Sequence, residues 1–267
     1  RVDYWESMDA LSLCRRGDIG LHRDSGFVSN WAIPGFMKHA WIHLNDPVTT
    51  AGIEGKDIVD VRDMQIMEAV SEGVLRRSAL FPVRSDYTII LRPRGATGEE
   101  VDAAVEKALR IEGCEYDADF KFDIEQELEH FSPEGETSDQ IDEDRRELKA
   151  IADGINAEWD GGFSCTETVS FAWWHRRRQL KLYRRPARGK QVILADQMIN
   201  DGFEIVWMSD SVTPEIAKKL GLPEEGQELI REYRRAHPVP NAKREPGPEA
   251  CGPRTGVTDS GRLVPVN

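Results

Sequence analysis

Four stretches in the first hundred residues have the hydrophobic pattern of β-strands. They are rich in aliphatic and β-branched residues, and Gly, Pro, Asp and Asn stretches separate them. Several of them are predicted to belong to one antiparallel sheet. They are GDIGLH at 17–22, HAWIHL at 39–44, QIMEAV at 65–70 and DYTIILRP at 86–93.

Helical periodicity is clearest in TGEEVDAAVEKALRIEG at 97–113. Thr97 is the expected N-cap, acidic residues follow it, apolar residues recur three and four positions apart, and Gly113 ends the pattern. A short helix is also predicted around 213–220, and a mixed apolar stretch, QVILADQMINDGFEIVWMSD, precedes it.

FSCTETVSFAWW at 163–174 predicts a helix that begins at a cysteine. Ser164 and Glu167 form the S-x-x-E capping box, so Cys165 takes the first helical position. There the thiol lies beside unpaired N–H groups and the positive end of the helix dipole, which favour the thiolate and could stabilise an oxyanion. Free cysteine is also among the most buried residue types, so a structural thiol stays open. A nucleophile needs a base and a group that orients the base.

Two histidines on one predicted strand are candidates for that base. HAWIHL alternates, so Ala40, Ile42 and Leu44 are expected to face the core, with His39, Trp41 and His43 on the opposite face. Histidines four apart on a strand are separated by about 13 Å, so they cannot share a metal ion, and only one can serve Cys165. Periodicity does not choose between them.

Glu68 is the candidate for the orienting group. It interrupts the otherwise apolar strand QIMEAV, where a carboxylate needs a partner to offset its lost hydration. An imidazole N–H would satisfy it, and so would an ion pair with Arg76, Arg77 or Arg84. The sequence leaves both of these partners for Glu68 open.

Charge and composition exclude several classes of protein. The net charge of −13 over 267 residues repels nucleic-acid phosphates, so no nucleic-acid partner is expected. No apolar run approaches the roughly 18 residues that span a bilayer, so no transmembrane segment is expected. Four cysteines without a C-x-x-C pair predict neither a disulfide framework nor a zinc site, and they favour a reducing compartment, the cytoplasm. The chain begins at Arg1, which leaves a removed leader open.

Two segments depart from the composition of a folded domain. Residues 123–160 carry fourteen acidic and three basic residues, which indicates a solvated insertion or a flap. In 237–267, ten of 31 residues are Pro or Gly, so this tail is predicted to be disordered. The expected organisation is one domain, 1–236, followed by the tail.

Six short motifs follow one another along the chain. They are R-G-D-I-x-L at 16–21, I-P-G-F-x-x-H-A-x-I at 33–42, M-E-A-V-S-E-G-V at 67–74, L-R-P at 91–93, G-x-x-Y-D-x-x-F at 113–120 and F-S-C-T-E-T-V at 163–169. In this order the motifs resemble the circularly permuted branch of the NlpC-type papain-like superfamily. The YiiX and YebB-like proteins belong to this branch, and lecithin:retinol acyltransferase is a distant relative. The resemblance covers about residues 15–210 and rests on the order of the motifs.

The resemblance implies an α+β, permuted papain-like fold in which an antiparallel sheet packs against the helix that carries the cysteine. It implies Cys165 as nucleophile, His39 as base and Glu68 as the third catalytic group, with Tyr116 and Trp41 as substrate-binding residues. The implied activity is that of a cysteine hydrolase, a thiol protease or amidase, which cleaves an amide or ester through an acyl-thioester.

The substrate implied by the resemblance is a peptide, a peptidoglycan-type amide or an N-acyl or lipid-linked molecule, and no cofactor is implied. An acyltransferase with the same three residues is the nearest alternative. A non-catalytic binding module on the same fold is the second.

Overall fold

The computed structural model describes residues 1–24, 35–50, 58–60, 64–117, 163–182, 185–187, 190–239, 254–257 and 263–266. Contacts divide the chain into two units, Arg1–His237 and Pro238–Asn267. The acidic segment 123–160 lies outside the described residues.

A six-stranded antiparallel sheet forms the centre of the first unit. The strands of this unit are β1 (Ile19–Arg23), β2 (His39–His43), β3 (Thr49–Thr50), β4 (Ile58–Val59), β5 (Gln65–Val70), β6 (Gly73–Ser78), β7 (Tyr87–Pro93), β8 (Arg185–Ala187), β9 (Lys190–Val192) and β10 (Phe203–Met208). The strand order of the sheet is β10-β7-β1-β2-β5-β6, and the pairs β3 with β4 and β8 with β9 are two-stranded. All four stretches with the strand pattern are members of the large sheet, as β1, β2, β5 and β7, so the α+β class is confirmed.

Threonine caps mark the starts of two helices that the sequence predicts. Thr97 accepts a hydrogen bond from the N–H of Glu100 and starts the predicted helix, and Thr213 caps the predicted short helix in the same way. In the described residues, no helix is both long enough and apolar enough to cross a bilayer. The α-helices are α1 (Tyr4–Leu13), α2 (Leu80–Val83), α3 (Gly98–Arg110), α4 (Cys165–Ala172), α5 (Pro214–Lys219) and α6 (Glu224–Ala236).

Both faces of the sheet are covered, so that two hydrophobic clusters form. One cluster contains Ile42 of β2 together with Ala104 of α3 and Val169 of α4. The other contains Trp41, the next residue along β2, together with Leu11 of α1. The face of β2 that alternation places opposite the core is therefore also interior, because α1 packs on it.

Gly20 makes room for an aromatic ring on this second face. Gly20 pairs with Trp41 across β1 and β2, and a Cβ atom at position 20 would lie 1.9 Å from the indole ring. Only glycine allows the ring to lie flat against the neighbouring strand. The indole is buried, with an exposed fraction of 0%.

The second unit, Pro238–Asn267, contains two paired strands where the Pro and Gly content predicts disorder. Strands β11 (Arg254–Val257) and β12 (Leu263–Val266) pair in an antiparallel register. The rest of this tail, apart from 238 and 239, lies outside the described residues.

Candidate active site

Cys165 is the first residue of α4, as the capping box predicts. Ser164 has extended backbone angles, and its hydroxyl accepts from the N–H of Glu167 at 3.4 Å. The Glu167 carboxylate in turn accepts from the N–H of Ser164 at 3.0 Å. Cys165 is 5% exposed, so its thiol lies at a helix start that is almost entirely removed from water.

A short backbone bridge brings Tyr116 to the cysteine. The N–H of Phe163 donates to the carbonyl of Glu115 at 2.9 Å, and the N–H of Asp117 donates to the carbonyl of Phe163 at 3.3 Å. Burial raises the pKa of the Tyr116 hydroxyl, and the negative charges of Cys165, Asp117 and Glu167 raise it further. Tyr116 therefore remains neutral, and it lies within electrostatic range of Cys165.

His39 and Glu68 meet on the second face of the sheet. The pairing of β2 with β5 places them on adjacent strands, and His39 Nε2 lies 2.8 Å from Glu68 Oε2. The other carboxylate oxygen, Oε1, lies 3.6 Å from Nε of Arg77. Both partners left open by the sequence thus contact Glu68, one on each oxygen.

The imidazole of His39 also interacts with Cys165. Burial disfavours the charged imidazolium, but the negative charge of Cys165 and hydrogen bonds with Cys165 and Glu68 outweigh it and raise the pKa of His39 to about 10. Because Nε2 contacts Glu68, Nδ1 is the ring nitrogen left for the sulfur. At neutral pH the arrangement is a protonated imidazole between two acidic groups.

His22 belongs to the same site, although the sequence pattern does not single it out. Its ring stacks on that of His39, with centroids 4.9 Å apart and planes 28° apart. Its Nδ1 lies 3.2 Å from the carbonyl of Pro82. Burial and then the charge of His39 lower the pKa of His22 to about 3, so His22 is neutral and packs against the charged ring.

His43 and Trp41 are core residues that hydrogen-bond to each other. The indole N–H of Trp41 donates to Nε2 of His43 at 3.3 Å, and both side chains are fully buried. Burial lowers the pKa of His43 to about 3. Trp41 was expected to bind substrate, but its ring packs in the cluster that contains α1 and has no surface on which a ligand could lie. The structure thus brings together Cys165, His39, Glu68 and Tyr116, and it leaves Trp41 in the core.

Metal-binding clusters are absent from the described part of the chain: no three His, Cys, Asp or Glu side chains there are arranged to hold an ion. Three cysteines in this part, Cys14, Cys114 and Cys165, are free thiols.

Comparisons with known proteins leave the family open. No family model matches the chain, and no curated protein or solved structure matches it either. The geometry around Cys165 is therefore the basis on which a function can be inferred.

Proposed function

We propose that this protein is a cysteine hydrolase of the permuted papain-like type, which cleaves an amide or ester through an acyl-thioester on Cys165. The observation that carries the proposal is the imidazole of His39, which contacts Glu68 at 2.8 Å and interacts with Cys165 at the start of α4. A nucleophile, its base and a group that orients the base are the three parts that such chemistry needs.

The reaction follows from the charges at these atoms. The sulfur of Cys165 attacks the substrate carbonyl and forms a C–S bond, and His39 gives its proton to the leaving amine or alkoxide as the C–N or C–O bond breaks. Water then attacks the thioester, His39 accepts its proton, and the acid leaves as the thiolate–imidazolium pair is restored. Glu68 holds the ring orientation throughout.

Two groups are placed to stabilise the oxyanion of the tetrahedral intermediate. The first backbone N–H groups of α4 have no partner within the helix and point toward its N-terminal end. Tyr116 adds a neutral hydroxyl within electrostatic range of Cys165. The chain order, with the histidine strand before the cysteine helix, supports the permuted arrangement. The resemblance implies a substrate of the peptide, peptidoglycan-type or N-acyl and lipid-linked classes.

Alkylation of Cys165 by iodoacetamide tests this proposal without a known substrate. We expect Cys165 to react rapidly well below about pH 8.5 and to slow markedly in His39→Ala, because the imidazolium stabilises the thiolate. Peptide mass spectrometry across a pH series measures the rate at each cysteine.

The same digest contains two control thiols. Burial and then the charge of Asp18 raise the pKa of Cys14, and burial raises the pKa of Cys114, so both should react slowly at neutral pH. If Cys165 reacts no faster than these two, or equally fast with and without His39, the hydrolase proposal is wrong and a binding role on this fold becomes the better explanation.

Replacing Glu68 with glutamine should reduce hydrolysis of an activated ester such as p-nitrophenyl acetate without abolishing it. The amide keeps the shape but loses the charge that stabilises the His39 imidazolium, so we expect a loss of about one to two orders of magnitude in kcat/KM. Arg77→Gln is the matched control, because Arg77 contacts the other oxygen from a position that is 39% exposed. An unchanged rate in Glu68→Gln would move the orienting role to another residue.

A further inference from the structure

The segment that follows β9 contacts the cysteine helix directly beside the nucleophile. Thr166, the residue after Cys165, donates its hydroxyl to the carbonyl of Ile193 at 2.6 Å. The threonine side chain is buried. The first turn of α4 is thereby fixed to the chain at 193.

Three residues later, the same segment holds the chain that leads into His39. Asp196 lies in a short 3-10 turn, and its carboxylate is buried. Oδ2 accepts from the N–H of Phe36 and Oδ1 from the N–H of Met37, both at 2.6 Å. Met37 precedes His39 by two residues, so these bonds fix the start of β2.

Gly35 lets the carboxylate come this close. Its φ angle is +97°, and a Cβ atom there would lie 2.4 Å from Oδ2 of Asp196. On the other side, Nη1 of Arg23 donates to the carbonyl of Phe36 at 2.9 Å and contacts that of Gly35 at 3.3 Å. The backbone at 35–37, just before His39, thus binds a carboxylate.

Charge strengthens this contact at neutral pH. Burial raises the pKa of Asp196 to about 6, although the N–H groups of Met37 and Phe36 and the positive charges of Lys38 and Arg23 oppose the shift. The group is ionised at pH 7, and hydrogen bonds to an ionised acceptor are about twice as strong as neutral ones.

We propose that Asp196 is a positioning residue for the Cys165–His39 pair. Its hydrogen bonds fix the start of the histidine strand to the segment that also contacts Thr166, and they thereby set the distance between the imidazole and the sulfur. This inference rests on the proposed cysteine chemistry. Both catalytic elements are tied to a span of four residues, 193–196, so a loss of either tie changes the distance from imidazole to sulfur. A misplacement of about 1 Å can cost 100-fold in rate.

The test compares alkylation of Cys165 at about pH 6.5 in the wild type and in Asp196→Asn. The amide keeps one acceptor oxygen but turns an NH₂ group toward a backbone N–H, so we expect alkylation to slow by about ten-fold while the circular dichroism spectrum is retained. Asp18→Asn is the matched control. Asp18 is equally buried, accepts from the N–H of Arg15 at 2.7 Å and pairs with Arg92, so its loss should lower stability and leave the alkylation rate unchanged.

The double variant Asp196→Asn with His39→Ala distinguishes a positioning role of Asp196 from a general loss of native structure. In the His39→Ala background, Asp196→Asn should cause no further slowing, because there is no imidazole left to misplace. An equal slowing in both backgrounds would overturn the role of Asp196. Thr166→Val, which removes the other tie at similar volume, should slow alkylation in the same His39-dependent way, and it provides the test if Asp196→Asn does not fold.

Failure of this inference differs from failure of the proposed function. If His39→Ala slows alkylation but neither Asp196→Asn nor Thr166→Val does, the proposed cysteine chemistry stands and the positioning role of Asp196 is wrong. If the wild type and the single variant His39→Ala are alkylated at the same rate, the proposed function is wrong, and Asp196 has no catalytic pair to position.

Discussion

Replacing His39 with alanine is expected to lower kcat/KM for an activated ester by about two to four orders of magnitude, the range for loss of a general base. The imidazole contacts Glu68 at 2.8 Å and interacts with Cys165, and these interactions raise its pKa to about 10. Without it the thiolate loses its counter-ion and the leaving group loses its proton donor. Steady-state hydrolysis of p-nitrophenyl acetate measures the loss.

His43→Ala is the control for this prediction, because His43 lies four residues further along the same strand. His43 is fully buried, is kept neutral and accepts a hydrogen bond from Trp41. Its loss should lower stability and leave the kcat/KM of the folded protein within a few-fold of the wild type. Comparable losses of activity at both histidines would contradict the assignment of His39 as base.

Trp41→Ala is expected to lower the free energy of unfolding by about 3–5 kcal/mol, the cost of truncating a large aromatic side chain in a core. The indole has no exposed surface, packs in the cluster that contains α1 and fills the space left by Gly20. Urea denaturation measures the change.

Trp5→Ala is the matched control, since Trp5 lies on α1 and is 37% exposed. Its loss should cost much less, because less apolar area is returned to water. If Trp41→Ala were nearly as stable as the wild type and instead raised KM for the ester, Trp41 would belong to a substrate surface after all.

The start of α4 depends on a local signal in the sequence. Ser164 and Glu167 are three residues apart and need no other element to form the capping box. The contact of Glu68 with His39 spans 29 positions and depends on which strands are neighbours, so the sequence leaves an ion pair with an arginine open beside it. A property of a few consecutive residues can therefore be predicted from the sequence, whereas the contact partner of a strand residue cannot.

Contacts that depend on the register of paired strands or on segments far apart in the chain cannot be predicted from local sequence patterns. His22 stacks on His39 because β1 and β2 pair with these residues opposite each other, and no pattern in either strand specifies that register. The resemblance implies that Trp41 binds substrate, but its ring packs in the cluster that contains α1, so the position is interior. Polar residues on a strand therefore do not by themselves identify a solvent face.

The bonds that join Asp196 to the chain at Phe36 connect residues 160 positions apart. During synthesis, the histidine strand leaves the ribosome long before the helix of Cys165, and the segment at 196 follows later still. Contacts of such long range form late in folding, because the entropy of closing the loop must be overcome first. A nascent or partly folded chain would therefore lack the contacts that the proposed cysteine chemistry needs, and these contacts would form only when nearly all of the first unit has been made.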